Sequence, residues 1–289
     1  GRDDSFGLRL QMRVADRLVF HKIKARTGGR VRYFVSGGAP LSREVGEFFY
    51  AMGMLILEGY GLTETAPLLS INRPADFKFG TVGRPVAETQ VKIDPSNGEI
   101  LARGPQVMIG YHNQPEETAR VIDADGWFHT GDIGELDDAG RILITDRLKN
   151  IIVLGNGKNV APAPMEIAML TSKYIAQAMV LGDNQPYTGA LIAPDFDEVG
   201  KWAAANGLAE MPPEQLVEQR SVQKLIEGEV RAKLDGFAIY ERPRRVALLP
   251  RLLTEEEGEL TPSLKVKTRV VVERWADRVA HLYGDDDKE

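Results

Sequence analysis

The chain has 289 residues, 43% hydrophobic and 27% charged, with a formal net charge of −6; it can bury a sizeable core, and no global positive field recommends nucleic acid as a partner. It contains no cysteine, which excludes disulfides and thiolate metal sites without fixing the compartment. No run approaches the roughly 18 apolar residues of a membrane span and no signal peptide opens the chain, so the expected location is the cytoplasm.

The chain starts with Gly1 rather than Met, which reads as a processed or excised piece of something longer. From Phe6 to Arg32 basic residues interleave with apolar ones. Two readings stay open for such a helix: packing on a core with a solvated basic face, or lying peripherally on the inner, anionic face of a membrane, which would suit a fatty substrate. Val31 to Val35 is a short β-prone run ending in Ser36-Gly37-Gly38-Ala39-Pro40. Ser42 is a good N-cap for a helix whose apolar positions are Leu41, Val45, Phe48, Phe49 and Met52. Met54 to Leu57 reads as a second buried strand, which delivers Glu58-Gly59-Tyr60-Gly61-Leu62-Thr63-Glu64-Thr65 at its carboxyl end. Two glycine turns then share one rim of one sheet, where ligands of α/β proteins sit.

That octet has the composition of a nucleotide site. Gly59 and Gly61 permit sharp turns against a flat ligand, Tyr60 offers a ring, Thr63 a hydroxyl for phosphate and Glu64 a hard oxygen for Mg²⁺. An ordinary strand-end turn with the same letters is the alternative.

Beyond Arg73-Pro74 the texture changes to short alternating runs broken by turns. Val91 to Ile93, Glu99 to Leu101 and Arg141 to Ile144 predict strands of a small antiparallel or barrel-like unit. Within it lies Gly126-Trp127-Phe128-His129-Thr130-Gly131-Asp132, whose carboxylate is suited to a ribose diol or is a plain turn aspartate. Asp146-Arg147-Leu148-Lys149, a strand over Ile151 to Leu154 and the loop Gly155 to Pro164 mark a domain boundary. Further on, helices are predicted over Met165 to Leu170, Asp197 to Ala205, Pro213 to Leu234 and Thr268 to Leu282, and strands over Ala176 to Gly182 and Gly189 to Pro194. Leu260-Thr261-Pro262-Ser263-Leu264-Lys265-Val266-Lys267 precedes the last helix, and Asp285 to Glu289 reads as a solvated tail. His21, His112, His129 and His281 lack metal-ligand spacing, and no Gly-x-Ser-x-Gly elbow occurs.

In this order the segments resemble the adenylate-forming superfamily, and the forms "SGGAPLS", "EGYGLTET", "DRLKNIIV", "GKNVAPAPME" and "LTPSLKVK" look most like its long-chain fatty acyl-CoA synthetase branch. The resemblance implies ATP-dependent activation of a fatty acid to acyl-AMP and transfer to CoA, with ATP, Mg²⁺ and CoA as cofactor or co-substrates. It implies that Gly37, Gly38, Ala39 and Gly61 line the nucleotide pocket, that Tyr60 stacks on adenine, and that Thr63 and Glu64 serve the phosphate and Mg²⁺. Asp132 and Arg147 would bind the ribose, Lys149 would be the hinge, Gly157 would belong to the pantetheine loop, and Lys265 would be the catalytic lysine.

The fold implied is α/β. Residues 1–146 would be the carboxyl-terminal part of the large domain, with a barrel-like part from about 80, and residues 147–289 a small, mobile α+β domain. The family's Ser/Thr/Gly-rich phosphate loop appears nowhere in the chain, so a carboxyl-terminal portion that recognises AMP more readily than it turns over ATP is expected, with self-association through apolar positions left uncovered. Thr268 stands where the family more often shows a basic residue. Two other functions stay open: a non-catalytic nucleotide- or CoA-binding module, and a ligase that delivers the acyl group to a carrier protein.

Overall fold

The structure is a computed structural model that describes residues 15, 19–208, 210–262 and 264–284. Most of the amino-terminal half of the expected basic helix, Ser263 and the tail Asp285–Glu289 lie outside the described residues. The chain divides into two units, residues 1–148 and 149–289.

In the first unit a short helix α1 (His21–Arg26) precedes β1 (Phe34–Ser36), and α2 (Arg43–Ala51) precedes β2 (Ile56–Tyr60). Strands β1 and β2 are parallel, with Ser36 opposite Glu58. Strand β2 starts two residues later than expected and runs through Glu58, Gly59 and Tyr60. Its far end is kept extended by antiparallel pairing with β3 (Ser70–Ile71), which itself pairs β4 (Arg84–Pro85). Met52, which caps the end of α2, is buried, whereas Phe48 on the helix stays 61% exposed. A second sheet is the antiparallel meander β5 (Gln90–Ile93), β6 (Glu99–Arg103), β7 (Phe128–Leu136) and β8 (Ile142–Arg147), with α3 (Pro115–Val121) between β6 and β7. The two sheets are stitched by Val82 N–H to Ile142 O and Ile142 N–H to Gly83 O, both 2.9 Å. Gly83 is obligatory there: it has φ +79°, and a Cβ would stand 2.1 Å from the Ile71 carbonyl carbon.

The second unit begins with the hairpin β9 (Ile152–Val153) and β10 (Asn159–Val160), followed by α4 (Pro162–Met169). Its main sheet has β12 (Gly189–Pro194) at the centre, antiparallel to β11 (Ile175–Leu181) and parallel to β13 (Arg245–Leu248). All six residues of β12 are buried, as a strand covered on both faces requires. Alternation sorts the sheet into two cores. Val180, Ala190, Ile192 and Leu248 pack with α4, α5 (Phe196–Ala205) and α7 (Arg220–Lys233), and Met179, Leu191, Ala193 and Ala247 pack with Val271 and Leu282.

Two helices expected to be continuous are broken. The 213–234 segment splits into α6 (Pro213–Leu216) and α7 around Val217, which is fully buried. The last splits into α8 (Thr268–Arg274) and α9 (Ala276–Tyr283) at Trp275.

Candidate active site

Register places the first cluster. Strand β7 sets Asp132 opposite Arg147 of β8, and the carboxylate is 4% exposed. Arg147 Nε lies 3.1 Å from Asp132 Oδ1, and the Tyr60 hydroxyl donates to Asp132 Oδ2 at 2.6 Å. Asp132 is thus an inward-facing strand residue with both oxygens engaged, which displaces the plain-turn alternative. The arginine remains 43% exposed, so part of its guanidinium still faces solvent. Burial first, and then the charge and hydrogen bond of Asp132, push the Tyr60 hydroxyl well above its ordinary pKa, so it stays a donor. The Tyr60 ring is 8% exposed and packs with Leu69, Ile100, Ala102 and Ile142.

The rim beside this cluster is built from close backbone approaches. A Cβ on Gly61 would fall 1.7 Å from Pro67 O, and one on Gly37 would fall 3.3 Å from Gly59 O. Gly38 and Ala39 are exposed just past β1. Thr63, Glu64 and Thr65 form a 3₁₀ turn, pinned where Leu62 N–H donates to Thr65 Oγ1 at 2.9 Å. Thr63 is exposed on that turn. The Tyr111 hydroxyl donates to Glu64 Oε1 at 2.9 Å, and Met108 N–H donates to the Glu64 carbonyl at 2.8 Å.

Three groups of this unit escaped sequence reasoning. Glu99, a carboxylate in the apolar run of β6, accepts Gly131 N–H at 2.8 Å and pairs with His129 Nδ1 at 2.9 Å, so it braces the turn next to Asp132. An acid at an inward strand position was the available signal. Glu58 accepts Leu41 N–H at 3.3 Å, and burial raises its pKa to about 7 against that hydrogen bond. Tyr111 carried no signal in the sequence.

In the second unit, Lys149 is exposed in the 3₁₀ turn Leu148–Asn150, at the division between the units. That division falls two residues beyond the expected boundary, since Arg147 is still paired in β8. Gly157 tops the β9–β10 hairpin with φ +80° and open space around it. Lys265 is exposed on a short loop closed by Thr261 N–H to Lys265 O at 2.8 Å and Lys265 N–H to Thr261 Oγ1 at 3.0 Å. A cleft of about 740 Å³, which sequence reasoning also missed, is lined by Arg231, Arg242, Arg244, Arg245, Tyr187 and His281, and reaches Asn156 of the Gly157 loop. The close run Arg242, Arg244, Arg245 was its signal.

Residues 10–112 match the family described as AMP-binding enzyme, and residues 149–287 the one described as AMP-binding enzyme C-terminal domain. The chain belongs to the AMP-binding, adenylate-forming enzymes. It is similar to the long-chain-fatty-acid–CoA ligase FadD15 of Mycobacterium bovis, 40% identical over 280 residues that make up 96% of this chain and 46% of that ligase. The chain thus spans less than half the length of that relative. Among solved structures, the adenylation domain of a carboxylate reductase from Mycobacterium chelonae gives a TM-score of 0.74 at 26% identity, over 94% of this chain and 42% of that one. The A-PCP didomain of carboxylic acid reductase from Segniliparus rugosus, solved in complex with AMP, gives 0.71 at 25% identity over 96% and 40%. The mixed α/β fold expected from the sequence is the fold these adenylate-forming enzymes share. Among the described residues no helix is long and apolar enough to cross a membrane.

Proposed function

We propose that the chain carries the adenine, ribose and Mg²⁺ side of the site of an ATP-dependent long-chain fatty acid:CoA ligase, together with the domain that bears its catalytic lysine. The observation that supports this best is Asp132, buried and held by Tyr60 and Arg147 beside the Gly37–Gly38 and Gly61 turns. A carboxylate and a guanidinium at that spot suit a ribose diol. In this reading a fatty-acid carboxylate oxygen attacks the α-phosphorus of ATP, the bond to the β-phosphate oxygen breaks, and pyrophosphate leaves. The CoA thiolate then attacks the acyl carbon and AMP leaves. Lys265 meets the approaching anions in the first step and withdraws by rotation about Lys149 before the second.

Thr63 takes a phosphate oxygen. Glu64 fits Mg²⁺, which binds through one or two carboxylates plus phosphate oxygens and water, because Tyr111 occupies only Oε1. Bound there, the ion offsets phosphate charge. The arginine-lined cleft beside the Gly157 loop supports CoA as acceptor, since a phosphate-rich nucleotide complements it. Delivery to a carrier protein is the second reading, favoured by the likeness to an A-PCP didomain. In this reading the ligase works in the cytoplasm and draws its fatty substrate from the inner face of a membrane. Tyr33, Val35 and Tyr50 remain exposed on the first unit, and we expect the chain to self-associate through them; a monodisperse monomer in light scattering would count against this.

The test is acyl transfer from ATP, Mg²⁺ and palmitate to hydroxylamine, CoA or carrier protein, by the protein at its natural length. Hydroxamate and palmitoyl-CoA are expected, both lost in Lys265→Ala. Absence of hydroxamate from the unaltered protein sinks the ligase reading and leaves a binding module. Calorimetry with AMP on the chain itself should show binding that Asp132→Ala weakens at least about tenfold, the loss of charged hydrogen bonds.

A further inference from the structure

The loop that carries Lys265 is exposed, and its tip is disfavoured by its own backbone. Leu264 takes φ +60° with its side chain 71% exposed. A leucine in the left-handed region persists only where its surroundings impose it. With Leu264 itself largely exposed, burial of its side chain does not impose that conformation, and the constraint is sought at the base of the loop.

At the base stands Glu259, fully buried and ringed by donors. Its Oε2 accepts Arg251 Nη1 at 2.7 Å and Thr254 N–H at 3.2 Å, and its Oε1 accepts Arg251 Nη2 at 2.8 Å and Trp275 Nε1 at 3.1 Å. Arg274 Nη1 lies 3.7 Å from Oε1. The Glu259 carbonyl accepts Lys267 N–H at 2.8 Å, which closes the loop just past Lys265. Next to Glu259, Leu260 is buried in the core and bridges Val266. Burial alone would raise the Glu259 carboxyl, but Arg251 and the other donors outweigh it and leave it below its ordinary value. Trp275 is also where the last helix breaks.

A buried ion pair adds little net stability over apolar packing of the same shape. What it does supply is direction. Two guanidinium prongs, an indole and an amide aimed at two oxygens allow one orientation of the chain, and the segment leaving that point is the one that reaches Lys265. We propose that Glu259, gripped by Arg251 and Trp275, is a positioning residue for Lys265, setting the register of its loop and thereby where the ammonium is presented. The proposal rests on the reading of Lys265 as the lysine of acyl-adenylate formation.

Two variants test it. Glu259→Gln keeps the shape and loses the charge, and Arg251→Lys keeps the charge and loses the two-pronged grip. Hydrogen exchange on the chain should show the Leu264, Lys265 and Lys267 amides losing about 10–100-fold of their protection in Glu259→Gln, with β11 and β12 unchanged and Arg251→Lys in between. In the protein at its natural length, kcat for hydroxamate formation should fall at least about tenfold, while KM for ATP and for fatty acid stays within about threefold, as loss of a transition-state contact requires. Unchanged loop protection in both variants overturns the proposal, as does lost protection with full kcat. If Glu259→Gln does not fold, Arg251→Lys alone decides by the same two readouts. Lys265→Ala runs alongside: full activity there overturns the reading of Lys265 itself, whereas lost activity there with an active Glu259→Gln overturns only the positioning role.

Discussion

Replacing Tyr60 by Phe tests the ribose cluster with a single atom. The ring keeps its place among Leu69, Ile100, Ala102 and Ile142, so no cavity opens. What is lost is the 2.6 Å hydrogen bond to Asp132, which leaves a carboxylate that is 4% exposed with Arg147 as its remaining ionic partner. A hydrogen bond to a charged group contributes roughly 1.5–3 kcal/mol, and a buried acceptor deprived of its donor keeps its desolvation cost. Taking about 2 kcal/mol, local opening should become about 30-fold more frequent. The assay is native-state hydrogen exchange of the β7 and β8 amides around Asp132 and Arg147, read against β11 and β12 as an internal reference. A change below about threefold would refute the claim that Tyr60 holds Asp132, and would return the tyrosine to a simple packing role.

Glu58, with its carboxyl near 7 when folded against 4.5 ordinarily, holds a proton that the unfolded chain has released. Stability should therefore fall as pH rises from 4.5 to 7 and level off above. Allowing for partial exposure, Glu58→Gln should recover roughly 1–2 kcal/mol at pH 8 and little at pH 4.5, and an NMR titration midpoint below about 5 would refute this. Gly61→Ala must displace the Pro67 carbonyl, which a Cβ would approach to 1.7 Å, and should cost more than about 3 kcal/mol in urea denaturation. Gly157→Ala meets nothing and should cost only the roughly 1–2 kcal/mol of its φ +80° backbone, so equal losses at the two glycines would contradict the geometry. Leu264→Gly relieves a φ of +60° and should raise the second unit's melting temperature by a few degrees, about 1 kcal/mol; a lower value would show that Leu264 has a partner of its own.

The second unit's sheet was the more legible part of the chain. The runs Ala176 to Gly182 and Gly189 to Pro194 announce strands because both faces of that sheet are apolar, and the observed strands fall on them within a residue. Strand β7 was hidden for the opposite reason. Its inward positions are Phe128, Thr130, Asp132 and Gly134, so the buried face is mostly polar and shows no hydrophobic alternation. Gly134 is small because a Cβ there would stand 2.2 Å from Leu143 O. The motif around Asp132 could be read from its letters, but the strand that aims Asp132 at Arg147 depends on β6 and β8 pairing to either side, which is tertiary. The helix break at Trp275 was concealed likewise, since the indole at the break is tied to Glu259, 16 residues back, a contact that no local pattern announces.

These concealed features share a chemistry. Glu99, Asp132 and Glu259 are all nearly or fully buried, and each engages both oxygens with named donors or partners. An apolar side chain in the same place would contribute similar stability and no preferred direction. Each of the three stands in or beside a stretch whose backbone is atypical: Gly131 at φ +70° between Glu99's contact and Asp132, and Leu264 at φ +60° above Glu259. At Gly131 the ladder between β6 and β7 is interrupted by a register shift, and the Leu264 loop lies outside helix and sheet, so hydrogen bonds to a fixed carboxylate hold the functional group there within the tolerance that phosphoryl and acyl transfer demand. It follows that neutralising these carboxylates should impair function before it impairs folding, whereas truncating the apolar residues around them, such as Leu260 or Ile100, should do the reverse.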